Sequence, residues 1–373
     1  MTIQRRTLLG ASLTAPVILS AGAAMAQARN IRVAVAGPLT GSNATFGAQM
    51  RNGAEQALAD INAAGGVLGQ QLVLEVGDDA CDPRQAVSVA NQLAGRQVRV
   101  VIGHYCSGSS IPASKVYTEE GVLQISPAST NPRYTDEGAW NTFRTCGRDD
   151  QQGAIAGKYI AEAYKGKRIA VLHDNSAYGK GLADETKKAM NAAGTTEAIY
   201  SAYTPGERDY NAVVSRLKAA NVDVIYVGGY HTEAGLIVRQ AKEQGMNVTL
   251  IGGDALMTNE FWQISGAAGE GTLMTFSSDP RKRPTASEVV ARFKARNVDP
   301  EGFVLYTYAA TQIWADAAKK ANSVEPRKVA EAMKASGPWQ TVLGPISFDR
   351  KGDVTVPDYV FYVWKNGGYS EMS

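Results

Sequence analysis

Residues 31–36, IRVAVA, open a long segment in which short β-branched runs alternate with amphipathic ones. Their β-branched pattern predicts a strand, and the amphipathic stretch 49–62, ended by Gly65 and Gly66, predicts a helix. The same alternation continues to residue 125, with predicted strands at 72–76, 98–102 and 122–125 and helices at 83–93 and 110–120. Repeated strand–helix–strand order is typical of a mostly parallel sheet that is covered by helices on both faces.

A second set of the same kind begins near Asp149. Its predicted helices cover 151–164, 179–193, 209–219 and 232–244, and its strands cover 168–173, 196–200, 222–227 and 248–251. Beyond Gly271 we expect a strand at 273–276, helices at 285–296, 303–322 and 326–335, and closing strands at 346–348 and 359–364. The pattern therefore predicts an α/β protein with two doubly wound parallel-sheet lobes.

The N-terminus has the composition of an export signal. Arg5 and Arg6 precede an apolar run from Leu8 to Ala24, and small residues follow at the cleavage positions 24–26 and 26–28. We expect residues 1–28 to be removed and the mature protein to reach the periplasm. The arginine pair also resembles a twin-arginine signal, so the general secretory route and the folded-protein route both stay open. An uncleaved anchor is disfavoured because glycine and proline interrupt the run.

The amino-acid composition indicates a globular protein and gives no sign of a nucleic-acid partner. The chain has 373 residues, of which 44% are hydrophobic and 20% charged, as in an ordinary globular protein with a sizeable core. The net charge of +2 comes from Arg5 and Arg6, so the mature chain is neutral and nothing calls for nucleic acid as a partner. Three cysteines, Cys81, Cys106 and Cys146, predict one disulfide and one free thiol in an oxidising compartment, with three pairings open.

Enzymatic signatures are missing from the sequence. Gly37-Pro38-Leu39-Thr40-Gly41 after the first strand does not fit a dinucleotide-binding loop, and there is neither a phosphate-binding loop nor a nucleophile elbow. The acidic cluster Asp78-Asp79…Asp82 is interpreted as turn and helix-cap chemistry before Pro83. We therefore expect no catalytic residues, no metal and no cofactor, which favours a binding protein over an enzyme.

The ligand site is expected beyond the carboxyl ends of the strands. In the first lobe, hydroxyl-rich loops at 103–110 and 126–130 lead into helices and suit a carboxylate, although plain helix capping would explain either loop alone. In the second lobe, Tyr178, Tyr230 and Asp254 follow strands in glycine-rich loops and offer aromatic faces and an anion. If the first lobe binds a carboxylate and the second binds an ammonium group, the ligand that fits both is an α-amino acid.

From Ile31 to about Trp364 the chain resembles the periplasmic leucine/isoleucine/valine-binding proteins of bacterial ABC importers. The resemblance is carried by four segments, ADINAAGG at 59–66, DDACDP at 78–83, VIGH at 101–104 and GGYH at 228–231. It implies the type I periplasmic-binding fold, in which two lobes are joined by a three-crossing hinge. It further implies that lobe 1 covers 29–148 and 271–357, that lobe 2 covers 149–270 and 358–373, and that Cys81 pairs with Cys106.

The resemblance also implies roles for individual residues. The ligand carboxylate would be held by Ser107, the backbone of Ala128, and Thr130; Tyr178, Tyr230 and Asp254 would face it from the second lobe; and Phe46, Tyr105 and Phe303 would line the side-chain pocket. Two positions depart from the family. Asp254 stands where glutamate is usual, and Tyr105 stands where an aliphatic residue is common, which could shrink the pocket or favour an aromatic or polar side chain.

The function implied is that of a monomeric receptor that captures leucine, isoleucine or valine by hinge closure. It would deliver the amino acid to a membrane permease and ATPase pair. The two departures keep open the same fold binding an amide, urea or an aromatic acid. A sensor subunit that docks on a signalling partner is the alternative from another class, and an enzyme is a distant third.

Overall fold

The computed structural model describes residues 30–372; the expected export signal at 1–28 lies outside them. The first lobe has a five-stranded parallel sheet in the order β2-β1-β3-β4-β5. Its strands are β1 (Ile31–Gly37), β2 (Leu72–Asp78), β3 (Val100–Gly103), β4 (Leu123–Ser126) and β5 (Thr142–Arg144). Its helices in this part of the chain are α1 (Ala44–Ala63), α2 (Pro83–Gly95), α3 (Ser107–Glu119) and α4 (Arg133–Asp136).

The second lobe begins at α5 (Asp149–Ala163). Its parallel strands are β6 (Ile169–His173), β7 (Ile199–Ala202), β8 (Val224–Gly228), β9 (Thr249–Gly252) and β10 (Leu273–Ser277). Its other helices are α6 (Ala177–Ala192), α7 (Asn211–Ala219), α8 (His231–Glu243) and α9 (Asn259–Ser265). Every residue of β6, β8 and β10 is buried, as expected for strands with both faces covered.

The segment after β10 contributes helices to the first lobe and strands to the second. The helices α10 (Ser287–Ala295), α11 (Val304–Lys320) and α12 (Pro326–Ala335) come first, followed by a hairpin of β11 (Trp339–Thr341) and β12 (Gly344–Ile346). Helix α11 packs on α1 of the first lobe. Then β13 (Tyr359–Lys365) and β14 (Gly368–Glu371) add two antiparallel strands to the second sheet, whose order is β14-β13-β10-β9-β8-β6-β7. The chain thus passes between the sheets three times.

One predicted lobe boundary is wrong. The segment from Gly271 was expected to return to the first lobe, but β10 pairs with β9 and β13 inside the second sheet. The reason is that this strand supplies the central partner that joins the parallel strands to the antiparallel pair. The return therefore begins after Ser277. No helix in residues 30–372 is long and apolar enough to cross a membrane.

Candidate functional site

A small enclosed cavity lies between the two lobes, at the carboxyl ends of strands from both sheets. Its volume is about 10 Å³, close to the least that one water molecule needs. It is lined by Tyr105, Ser107, Ala128, Tyr178, Tyr230 and Asp254. Three of these residues follow β3 and β4 in the first lobe, and three follow β6, β8 and β9 in the second. The structure thus brings six of the nine predicted site residues around one space, at the position where open α/β sheets bind ligands.

The first-lobe wall presents hydroxyl groups and a helix start. Ser107 is the first residue of α3, whose opening N–H groups carry the positive end of the helix dipole. Its Oγ accepts a hydrogen bond from the backbone N–H of Asn131 (3.2 Å). Thr130, another predicted site residue, is fully buried but does not line the cavity; its side chain faces the Asp149 carboxyl group, where it opposes the rise in pKa that burial causes. The backbone of Ala128 was predicted to hold the ligand carboxylate. Its N–H instead donates a hydrogen bond to Ser126 Oγ (3.2 Å) within the same loop.

The second-lobe wall presents one oriented carboxylate. Asp254 follows β9 in a single turn of 3-10 helix and is 3% exposed. Its Oδ1 accepts hydrogen bonds from the Tyr178 hydroxyl (2.8 Å) and from Gln152 Nε2 (3.2 Å). Burial raises the pKa of Asp254 to about 6, while the bonds from Tyr178 and Gln152 act in the opposite direction. At neutral pH the group is therefore an anion that an ammonium group could neutralise.

A second carboxyl group lies close to Asp254. Asp149, the first residue of α5, is fully buried, and its carboxyl group faces the side chain of Thr130. Burial, and then the negative charge of Asp254, raise the pKa of Asp149 well above its usual value. Its backbone N–H donates to the Thr130 carbonyl (2.9 Å), which ties α5 to the first-lobe wall. This corner of the site thus has an excess of acceptors.

Aromatic rings enclose the rest of the space. The rings of Tyr178 and Tyr230 lie 5.2 Å apart, and that of Tyr105 lies 6.4 Å from Tyr230. Phe46 and Phe303, the other two predicted pocket residues, do not line the cavity. They pack against Tyr105 instead, Phe46 in a stacked arrangement (4.5 Å) and Phe303 edge to face (5.2 Å).

The cysteines and the acidic cluster near the site were also the subject of predictions. The Cys81–Cys106 disulfide is confirmed and joins the loop after β2 to the residue before Ser107. Cys146 is a buried free cysteine, as expected. Asp82 caps α2 by accepting bonds from the N–H groups of Arg84 and Gln85, so the interpretation of the acidic cluster as cap chemistry holds there.

The two lobes also touch directly outside the cavity. Asn131 Nδ2 of the first lobe donates to the Ala177 carbonyl at the start of α6 (2.6 Å). Thr45 and Thr258 place their hydroxyl oxygens 3.3 Å apart across the cleft, and the ring of Phe46 meets that of His231 edge to face. The lobes are therefore in the closed arrangement.

Two polar residues of the site were missed by the sequence analysis. Gln152 and Asp149 both fall at the start of a predicted helix, where a polar residue normally indicates solvent or a cap. Their burial depends on how α5 packs between the lobes, and no local pattern encodes that packing. The only signal was the unusual density of polar residues in RDDQQ at 148–152.

Comparisons with known proteins agree with this architecture. Residues 30–369 match the family model described as "Periplasmic binding protein". The chain is 50% identical to Leu/Ile/Val-binding protein homolog 1 of Brucella suis biovar 1, over 97% of each chain. Among solved structures, the leucine-binding protein LivK of Thermotoga maritima has a TM-score of 0.85 at 28% identity, covering 92% of this chain and 98% of that one. The branched-chain amino acid transporter substrate-binding protein LivJ of Streptococcus pneumoniae, solved with isoleucine, has a TM-score of 0.84 at 27% identity, covering 92% and 99%.

Proposed function

The chain belongs to the periplasmic binding protein family, and on that premise we propose that it captures an α-amino acid of the branched aliphatic class for an ABC importer. The observation that carries the proposal is the enclosed cavity, which has hydroxyl groups on one lobe and a buried carboxylate on the other. The relative from Brucella suis is named for leucine, isoleucine and valine, which supports the choice of class.

The first lobe holds the ligand carboxylate. Ser107 Oγ and Thr130 Oγ1 donate to its oxygens, and the N–H groups at the start of α3 complete the site. Ser107, which lines the cavity at the first residue of α3, supports this assignment.

The second lobe holds the ammonium group. Asp254 is the counter-ion, and Tyr178 and Gln152 fix the orientation of its carboxylate by occupying Oδ1. Both of these side-chain donors bond to Oδ1, so we assign Oδ2 to the ligand. The ring of Tyr230 covers the site from the outer side of the cleft.

Binding is coupled to closure because the ligand bridges the lobes. A ligand that contacts both walls favours the closed state over the open one, and the three chain crossings provide the hinge. We place the lobe boundaries near residues 148, 278 and 357, the second of them moved beyond β10.

The remaining assignments follow from the family and the composition. The protein acts outside the cytoplasm, in the periplasm after removal of residues 1–28, as a monomer that docks on a permease and its ATPase. It performs no chemical reaction on its ligand, requires no cofactor and does not bind nucleic acid.

Isothermal titration of the mature, ligand-stripped protein tests the proposal. The ligands are a panel of L-amino acids together with an amide, urea and benzoate. We expect one-to-one binding of aliphatic α-amino acids, and a loss of at least tenfold in affinity for Ser107→Ala, which removes a carboxylate donor. Ser114→Ala, a buried hydroxyl on the same helix that donates to the Ile111 carbonyl, is the matched control and should bind normally. Binding of only the amide, urea or benzoate would refute the ligand class.

A further inference from the structure

A fully buried arginine lies behind the first-lobe wall of the site. Arg144 is the last residue of β5, and its side chain has no exposed surface. Its guanidinium donates hydrogen bonds from Nη1 to the Ser129 carbonyl (2.6 Å) and from Nη2 to the Asn131 carbonyl (3.1 Å). These carbonyls flank Thr130 in the loop 126–131, which we call the carboxylate loop. A charge this deep in a protein is costly unless it is hydrogen-bonded, and here the loop supplies two of the bonds.

The bonds from Arg144 set the orientation of the carboxylate loop. In a trans peptide the C=O and N–H groups point in opposite directions. Because the Ser129 carbonyl faces Arg144, the N–H of Thr130 in the same peptide points away from the guanidinium. The next N–H, that of Asn131, donates to Oγ of Ser107 (3.2 Å), which lines the cavity. Arg144 therefore holds the loop through its carbonyl groups, while an amide group of the loop contacts the cavity wall.

The guanidinium is itself fixed on its other sides. Its Nε lies 2.7 Å from Oδ1 of Asp353, and its Nη2 also donates to Thr135 Oγ1 (2.7 Å). The Thr135 hydroxyl donates in turn to Asp353 (2.8 Å), and the ring of Tyr134 lies against the guanidinium at 5.2 Å. Such an arrangement uses the planar fork of arginine, which the single ammonium group of a lysine cannot reproduce.

Asp353 connects Arg144 to the segments that join the lobes. It lies between β12 and β13, just before the third crossing, and its Oδ2 accepts a hydrogen bond from Arg148 Nη1 (2.7 Å). Arg148 precedes α5 at the first crossing and also pairs with Asp136 of α4 (3.1 Å) and Asp150 of α5 (2.9 Å). The carboxylate loop and two of the three crossings therefore share one ion network, which restricts the movement of Arg144.

We propose that Arg144 is a positioning residue for ligand binding, which holds the carboxylate loop by the Ser129 and Asn131 carbonyls in the conformation that accepts the ligand carboxylate. This inference rests on the proposed function and deepens it, because Arg144 does not line the cavity. A loop that is already held in place loses less conformational freedom when the ligand binds, so affinity is higher. The field of the guanidinium also reaches the site: burial raises the pKa of Asp149, and the charge of Arg144 acts in the opposite direction.

The test compares affinity with stability in matched variants of the mature, ligand-stripped protein. Titration calorimetry with valine gives the affinity, and urea denaturation without ligand gives the stability. Arg144→Lys keeps the charge and loses the fork, and we expect it to bind valine about tenfold more weakly. Thr135→Val keeps Arg144 and removes one of its acceptors, with an expected loss of about fivefold. A role confined to stabilising the lobe would lower stability in both variants and leave the affinity of the folded protein unchanged.

Asn141→Ala is the matched control. Asn141 is fully buried just before β5 and, like Arg144, donates to a backbone carbonyl, that of Val122 (3.0 Å), which lies outside the carboxylate loop. This variant should be less stable than wild type and should bind valine normally. Combining Arg144→Lys with Ser107→Ala should weaken binding by less than the product of the two single losses, because both changes act on the same carboxylate site.

The outcomes separate this inference from the proposed function. Valine binding within about threefold of wild type in a folded Arg144→Lys protein would overturn the role of Arg144, as would an equal affinity loss in Asn141→Ala. If Arg144→Lys does not fold, Thr135→Val decides, and wild-type affinity in that variant overturns the inference. If the wild-type protein binds no aliphatic α-amino acid, the proposed function itself fails.

Discussion

Asp254 makes the site sensitive to pH, because burial moves the pKa of its carboxyl group close to the neutral range. Because its pKa is raised to about 6, the folded, ligand-free protein binds this proton more tightly than the unfolded chain does. The stability that this preference contributes is fully present below the unfolded pKa of 3.8 and is lost as the pH rises through about 6. A ligand ammonium has the opposite preference, since it binds the ionised form.

We therefore predict that affinity for the amino acid is constant above pH 7 and falls below pH 6, by up to about tenfold per pH unit. The neighbouring groups that titrate or donate are Asp149, Tyr178, Tyr230 and Gln152. Burial raises the pKa of Asp149 and of both tyrosines, so the tyrosines stay protonated throughout this pH range. Titration calorimetry between pH 7.5 and 4.5 gives the profile. Asp254→Asn should bind weakly and with a much flatter profile, and should be more stable than wild type at pH 7 without ligand. An unchanged wild-type affinity at pH 4.5 would contradict the assignment.

Residue identities at the site could be predicted only through family resemblance. Composition and position indicated a carboxylate-binding lobe and an anionic lobe, and the resemblance selected Ser107, Thr130 and Asp254. The stacking of Tyr105 on Phe46 could not be predicted, because those residues are far apart in sequence and their contact depends on how α1 and the loop after β3 meet.

At the scale of elements, hydrophobic periodicity was a good guide. The long helices and buried strands appear where the pattern indicated, often with an extra turn, as in α1 and α3. The missed elements are short: α4, β5, β11 and β14 have three or four residues each, and α9 has seven, too few to show a clear period. The partner sheet of β10 was also beyond prediction, because register and sheet membership are tertiary properties.

Helix α6 provides a test of closure at this scale. Gly181 lies within it, and a Cβ added there would sit 2.5 Å from Nδ2 of Asn131 in the other lobe. We predict that Gly181→Ala raises the stability of the ligand-free protein by up to about 1 kcal/mol through helix propensity. It should nevertheless weaken ligand affinity at least fivefold, because the Asn131–Ala177 contact cannot form. Thermal denaturation and titration calorimetry measure the two effects.

A double substitution makes that test specific. In an Asn131→Ala background the obstruction is gone, so Gly181→Ala should no longer reduce affinity. Gly157→Ala is the matched control on α5, where a Cβ would meet the Thr186 carbonyl at 2.4 Å inside the second lobe. It should lower stability without a specific effect on binding. Equal affinity losses for Gly181→Ala in both backgrounds would show that the glycine does not act through closure.

At the scale of the whole molecule, the cavity walls belong to different lobes, so the ligand should stabilise both of them. Ligand at a hundred times its Kd should add about 2.7 kcal/mol to the free energy of unfolding. The tryptophans allow the lobes to be observed separately. Trp262 and Trp364 pack together in the second lobe, and Trp314 is buried in α11 on the first.

We predict that valine raises the unfolding temperature reported by each lobe. Fluorescence of a Trp262→Phe/Trp364→Phe variant reports the first lobe. A variant in which Trp140, Trp314 and Trp339 are phenylalanine reports the second. Adding Asp254→Asn to either variant should abolish most of the shift. A shift confined to one lobe would mean that the ligand does not bridge the cleft.

The membership of β13 in the second sheet has a consequence for biosynthesis. Tyr362 on β13 donates to the carbonyl of Ser277 on β10, 85 residues earlier in the chain. While the ribosome adds those residues, β10 has no partner on one side, and its apolar side chains and free backbone groups form an open sheet edge. The second lobe therefore cannot be finished in the order in which it is made, and a chain halted before residue 359 exposes a surface that favours aggregation.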